Sequence, residues 1–149
     1  MSNNYLYILL ALAAGAMMPT QAATNNKMAA FVDSPLLSAF ISFFVGTVAL
    51  FVYVLISGAP IANLASAKEA PVVAWVGGLL GAFFVTAAVT LVPRLGVAMT
   101  FSLIIAGQMI VTLIIDHFGL LGVPVKGVSM ARVGGIVLIA SGVVLIRRY

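Results

Sequence analysis

Two glutamines, Gln21 and Gln108, are the strongest hydrogen-bonding side chains inside the long apolar runs of this chain. Met18, Gln21 and Asn25 recur at i, i+3 and i+7, which places them on one face of a helix. Pro19 stands beside them; it has no N–H, so in a helix it frees the carbonyl of Gly15 four residues earlier. A broken helix with a loose carbonyl next to an amide is a construction used in transporter binding sites. Gln108 follows Gly107 near the middle of another run, one turn before Thr112. An amide buried in hydrocarbon without a partner costs roughly 1–3 kcal/mol, so each must meet a helix, water or a ligand. Two readings stay open: interhelical hydrogen bonds worth about 0.6–2 kcal/mol, or contacts to a solute crossing the membrane. Gln21, Asn25, Gln108 and Thr112 are therefore the candidate substrate-pathway residues, with Asn25 close to the expected interface.

Asp116 and His117 adjoin at the end of the fourth run, where an imidazole that titrates near neutral pH could share a proton with a carboxylate. The plainer reading is a helix-end pair facing head groups. With Arg132, they are the candidates for a proton or rim charge. None of Asp33, Glu69 or Asp116 falls at mid-membrane, so no buried carboxylate is placed to exchange protons for a cation. That absence points to a neutral or weakly polar substrate, or to coupling through groups at the rim. One histidine, three acids and no cysteine leave no metal cluster, no Ser/His/Asp arrangement and no thiol chemistry. No Gly-rich phosphate loop is present either. No catalytic residue, enzyme activity, metal or cofactor is expected.

The elements that must carry these residues follow from where charge is missing. Only ten of 149 residues are charged, and the charge-free intervals are 1–26, 34–67, 70–93, 95–115 and 133–146. A helix needs about 20 mainly apolar residues to cross a hydrocarbon core of about 30 Å. Backbone amides find no partners in lipid, so such runs must be helices. With 64% hydrophobic residues and a mean hydropathy of +1.27, the chain reads as an all-α integral membrane protein of five spans in one domain. Their expected extents are about 5–24, 35–56, 72–92, 95–115 and 129–146. The first is expected to break at Pro19 and to be followed by a polar link at 25–34; the third to stop at Pro93-Arg94, making a tight hairpin with the fourth. Tyr5–Met18 could also serve as a secretory signal, but Met1-Ser2-Asn3-Asn4 lacks the basic leader such a signal wants, so a retained first span is expected. The fifth is short unless Arg132 lies within the helix and snorkels outward. The net charge of +4 belongs to residues at span ends and is no nucleic-acid footprint.

Small residues recur at packing intervals: Gly77 and Gly81 form a GxxxG pair, and Ala131, Gly135 and Gly142 share a stripe of the last span. They serve close helix approach, within one subunit or between two. Five spans put the termini on opposite sides. Lys68, Lys126 and Arg132 then face Lys27, Arg94, Arg147 and Arg148, three basic residues against four. The Lys/Arg excess that sets orientation is nearly absent. Two orientations, and hence an antiparallel pair, stand beside a single orientation with a cytoplasmic Arg147-Arg148 end.

An ordered set of short elements now carries a resemblance. These are Gly15…Gln21…Asn25, Ser34-Pro35-Leu36-Leu37, Ser42-Phe43-Phe44-Val45-Gly46-Thr47, Gly77-Gly78-Leu79-Leu80-Gly81-Ala82, Pro93-Arg94-Leu95-Gly96, Ala106-Gly107-Gln108 and Asp116-His117-Phe118-Gly119. Together they resemble the short five-helix inner-membrane exporter family of YdcZ type, within the drug/metabolite transporter superfamily. The resemblance covers essentially the whole chain. It implies a half-transporter that pairs with an inverted copy, as a homodimer or with a paired homologue, in the bacterial inner (plasma) membrane. It implies no particular substrate. The expected function is a secondary transporter of small molecules working by alternating access, its partners being the lipid bilayer, the solute and a second copy. The alternative is a non-transporting assembly or lipid-organising subunit.

Overall fold

A computed structural model describes residues 2–148. Five α-helices account for most of them: α1 (Ser2–Val32), α2 (Pro35–Ser57), α3 (Val72–Leu95), α4 (Val97–Phe118) and α5 (Met130–Arg148). All five are long and apolar enough to cross a membrane. Short 3₁₀ segments, Ile61–Glu69 and Leu120–Gly122, occupy the α2–α3 and α4–α5 connections.

Helix α1 departs from expectation: it is 31 residues long and passes through Pro19 without a break. A proline removes only one helical hydrogen bond, and the neighbouring groups can absorb the loss. Beyond it, the polar side chains bond to their own helix. Thr20 Oγ1 donates to the Ala16 carbonyl at 2.9 Å, Thr24 Oγ1 to Gln21 at 2.9 Å, and Asn26 Nδ2 to Ala22 at 3.2 Å. The segment expected as a link from residue 25 is therefore helical to Val32, and the turn shrinks to Asp33-Ser34. Asp33 takes a left-handed φ of 50°. Ser34 caps α2, its Oγ accepting from the Leu37 N–H at 3.2 Å, with Pro35 in the first turn.

The α3 terminus also shifts. The helix continues through Pro93 to Leu95 and stops at Gly96, whose φ of 78° an L side chain rarely adopts. The chain divides at this point into two units, Met1–Pro93 and Arg94–Tyr149.

In the first unit, α1 and α2 run antiparallel: Asn25 bonds to Ser38, and one turn away in each helix Gln21 and Ser42 border the same groove. The seam is made of small residues, with Ala22, Asn25, Ser38 and Ala39 all buried. Without a hydrophobic drive in lipid, close approach of small residues is what holds such a seam. Helix α3 joins through Val85 and Val89, which cluster with Ala39, while Ala29 and Phe84 pack against that cluster. Burial lies toward the Asp33-Ser34 end. Residues 4–17 of α1 and 72–80 of α3 are exposed throughout.

In the second unit, α4 and α5 run antiparallel and share one cavity, lined by Met109 and Ile139 toward its interior and by Asp116 and Arg132 at the helix ends. Gly119 ends α4 at φ 60°, its N–H bonded to the Ile115 carbonyl. A Cβ there would lie 2.7 Å from Val125 Cγ2, so the returning loop fits only glycine. Helix α5 has 19 residues, about 28 Å at a rise of 1.5 Å per residue. It reaches that length because Arg132 lies in its first turn. Its guanidinium pairs with Asp116 near the end of α4.

Candidate functional site

Most hydroxyls on the spans are satisfied by their own helices. Thr47, Thr86, Thr90 and Ser141 each donate at 2.8 Å to the carbonyl four residues earlier. What remains unpaired is the set of groups able to meet something else.

On the α1–α2 seam these are Gln21, Asn25 and Ser42. The Ser38 hydroxyl donates to the Asn25 backbone carbonyl at 2.6 Å. The Asn25 side chain is buried at 7% exposure, and its Nδ2 has no partner among the described residues. Asn25 is thus an interior residue of the α1–α2 seam, on a helix that continues past it to Val32. Gln21 is exposed and lines a groove of about 200 Å³ with Ser42, Phe43, Gly46 and Thr47. Neither the Gln21 amide nor the Ser42 hydroxyl is bonded among the described residues. Sequence reasoning missed Ser38 and Ser42, yet the signal was present. Ser34, Ser38, Ser42 and Gly46 repeat every fourth residue, as do Gln21 and Asn25, so two small or polar stripes face each other across an antiparallel pair.

The second place lies between α4 and α5. A cavity of about 240 Å³ is walled by Met109, Leu113, Ile136 and Ile139, with Thr112 and Gly135 among its lining and Asp116 and Arg132 at its mouth. Arg132 Nη1 donates to Asp116 Oδ2 and to the Lys126 carbonyl, each at 3.3 Å. The Asp116 carbonyl accepts from the Lys126 N–H at 2.8 Å. His117 turns elsewhere: its Nδ1 accepts from the Val128 N–H at 3.4 Å, and its ring meets Phe118 edge-on at 4.7 Å. Adjacent helical residues point about 100° apart, so the Asp116 carboxylate engages Arg132 and not the neighbouring imidazole. The structure brings together Thr112, Asp116 and Arg132. Gln108, one turn before Thr112, is exposed and unbonded among the described residues.

The glycines divide. A Cβ on Gly81 would touch the Phe43 ring at 3.4 Å, whereas Gly77, Gly135 and Gly142 have nothing within 4 Å among the described residues. Of these four, Gly81 is the one that packs inside its unit.

No curated protein and no solved structure matches the chain. One family does, described as "Putative inner membrane exporter, YdcZ", and the match covers residues 6–145. That range begins in the first turns of α1 and ends near the end of α5, taking in every helix on which the candidate residues lie. The chain is a multi-pass inner-membrane protein and belongs to this YdcZ family.

Proposed function

We propose that the protein is a secondary exporter of small molecules that works as an antiparallel dimer by alternating access. The observation that carries this reading is the pair of amides, Gln21 and Gln108, exposed and unbonded among the described residues on helices apolar enough to cross a membrane. Intramembrane polar groups of this kind are costly and serve function by default. Gln21 and Gln108 contact the solute; Asn25, through its orphaned Nδ2, and Thr112, at the α4–α5 cavity, support it. Membership in an exporter family supports transport over catalysis.

Support for the paired copy comes from three features. Basic residues are nearly balanced across the membrane. Gly77 and Gly142 are open to close approach. Five spans amount to half of a repeat-built transporter, in which one bundle rocks against the other around a midplane site.

The test is reconstitution with Gln21→Leu and Gln108→Leu. Each should leave the dimer folded while abolishing efflux or ligand-induced thermal stabilisation. If the glutamines are only structural glue, the dimer is destabilised and ligand response follows stability. A folded, dimeric Gln108→Leu protein with unchanged transport removes that glutamine from the site. Absence of any solute movement or ligand response in the unmodified protein favours the lipid-organising alternative.

A further inference from the structure

The cavity between α4 and α5 has the build of a ligand site: apolar walls with a few polar groups converging at one end. Its volume of about 240 Å³ holds roughly eight water-sized groups at ~30 Å³ each. At the mouth the positive Arg132 and the negative Asp116 face each other, and Arg132 Nη1 also donates to the Lys126 carbonyl. Only Nη1 of the Arg132 guanidinium is engaged; Nη2 and Nε make no bond among the described residues. A guanidinium presents its donors as a planar fork that fits a carboxylate. Thr112 adds a hydroxyl along the wall that makes no bond among the described residues.

We infer that this cavity binds a small amphipathic organic anion, its carboxylate on the free edge of Arg132 and a tail of about eight carbons between Met109 and Ile139. The inference rests on the transport reading, since it assigns the substrate class, and it supplies at the rim the charge that the middle of the spans lacks. Asp116 acts in opposition. It holds Arg132 in place while competing with the ligand carboxylate for the same cation. The Gly135 surface is part of the wall, with space for a side chain.

The experiment uses the full chain in phosphatidylcholine nanodiscs, with radiolabelled octanoate, octanol and octyltrimethylammonium as probes. Octanoate should bind saturably and at least tenfold more tightly than the other two. Arg132→Gln should erase that preference, whereas Asp116→Asn should tighten octanoate several-fold. The opposite signs matter because a purely structural ion pair predicts loss in both variants. Gly135→Leu should fill the cavity and remove octanoate and octanol binding while helical content is kept. Non-saturable octanoate uptake, or equal weakening by Arg132→Gln and Asp116→Asn, overturns the proposal. So does octanoate binding that survives Gly135→Leu. Loss of octanoate binding in phosphatidylglycerol discs assigns the cavity to a lipid and also overturns it. Equilibrium binding needs no gradient, so its failure is distinct from a failure of transport. Octanoate binding without efflux of any solute would instead sink the exporter reading alone.

Discussion

Ser38 and Asn25 are joined by a 2.6 Å hydrogen bond from the Ser38 hydroxyl to the Asn25 carbonyl, and both residues are buried. The bond ties α2 to the backbone of α1, while the Nδ2 of the Asn25 side chain has no partner among the described residues. A satisfied and an unsatisfied polar group thus occupy the same residue. The first stabilises the seam; the second costs stability.

Opposite effects on stability follow. Ser38→Ala should lower stability in detergent by about 0.6–2 kcal/mol, the range for interhelical hydrogen bonds in membranes. Asn25→Leu removes an orphaned buried amide, so it should raise the stability of the ligand-free protein by about 1 kcal/mol. In the exporter reading it should also blunt any ligand-induced stabilisation, the trade of function for stability expected at a binding residue. Thermal melts with and without transported solute check both. A destabilised Asn25→Leu protein would mean that its amide already has a partner.

The five helices were legible because hydrocarbon leaves the backbone no other option, and charge-free intervals report that directly. The end of α1 was not. Pro19 and Asn25 read as a break and a link, yet side chains such as Asn26 bond back to α1 and carry it to Val32. Gln21 and Gln108 could be picked out by type alone. The bond between Asn25 and Ser38, and the pairing of Asp116 with Arg132, could not be read this way. Both join residues on different helices, and helix register is set by which small faces fit together. The four-residue repeat of Ser34, Ser38, Ser42 and Gly46 was the available clue to that register.

Gly81 and Gly77 should separate cleanly. A leucine at 81 meets the Phe43 ring, which a Cβ alone already approaches to 3.4 Å, and overpacking of this kind costs about 1–3 kcal/mol. Gly81→Leu should therefore lower stability far more than Leu80→Ala, whose side chain is 63% exposed. Gly77→Leu meets nothing within the chain. It should keep helical content and reduce the dimer fraction in crosslinking if that face contacts a second copy. Equal, small effects of Gly81→Leu and Leu80→Ala would contradict the α2–α3 packing.

The Asp116–Arg132 pair sets both charges against their helix dipoles. Asp116 lies in the last turn of α4 and Arg132 in the first turn of α5, the ends that favour the opposite signs. Each charge in a favoured position contributes about 0.3–1 kcal/mol, and a partly exposed ion pair about 0.2–1 kcal/mol. Exchanging the two, Asp116→Arg with Arg132→Asp, keeps a pair and corrects both dipole terms. The double variant should melt at or above the parent temperature, while Arg132→Gln alone should melt lower. A double variant less stable than the parent would show that the bond from Arg132 to the Lys126 carbonyl outweighs the charges.

Orientation provides the last prediction. The side carrying Lys68, Lys126 and Arg132 nearly balances the side carrying Lys27, Arg94, Arg147 and Arg148. Positive residues near span ends set which side stays cytoplasmic, and the weight of one or two decides when the counts are close. Arg132 is paired with Asp116, whereas Lys68 and Lys126 form no ion pair among the described residues. Reporter fusions at the carboxyl terminus should reveal both cytoplasmic and external populations. Lys68→Gln with Lys126→Gln should move the population toward a cytoplasmic Arg147-Arg148 end. Arg147→Gln with Arg148→Gln should move it the other way. Single-orientation variants should then lose dimer and transport when expressed alone and regain both when the two opposite forms are co-expressed, because only a mixed population supplies the inverted partner. One fixed orientation that ignores these changes would rule out the antiparallel homodimer.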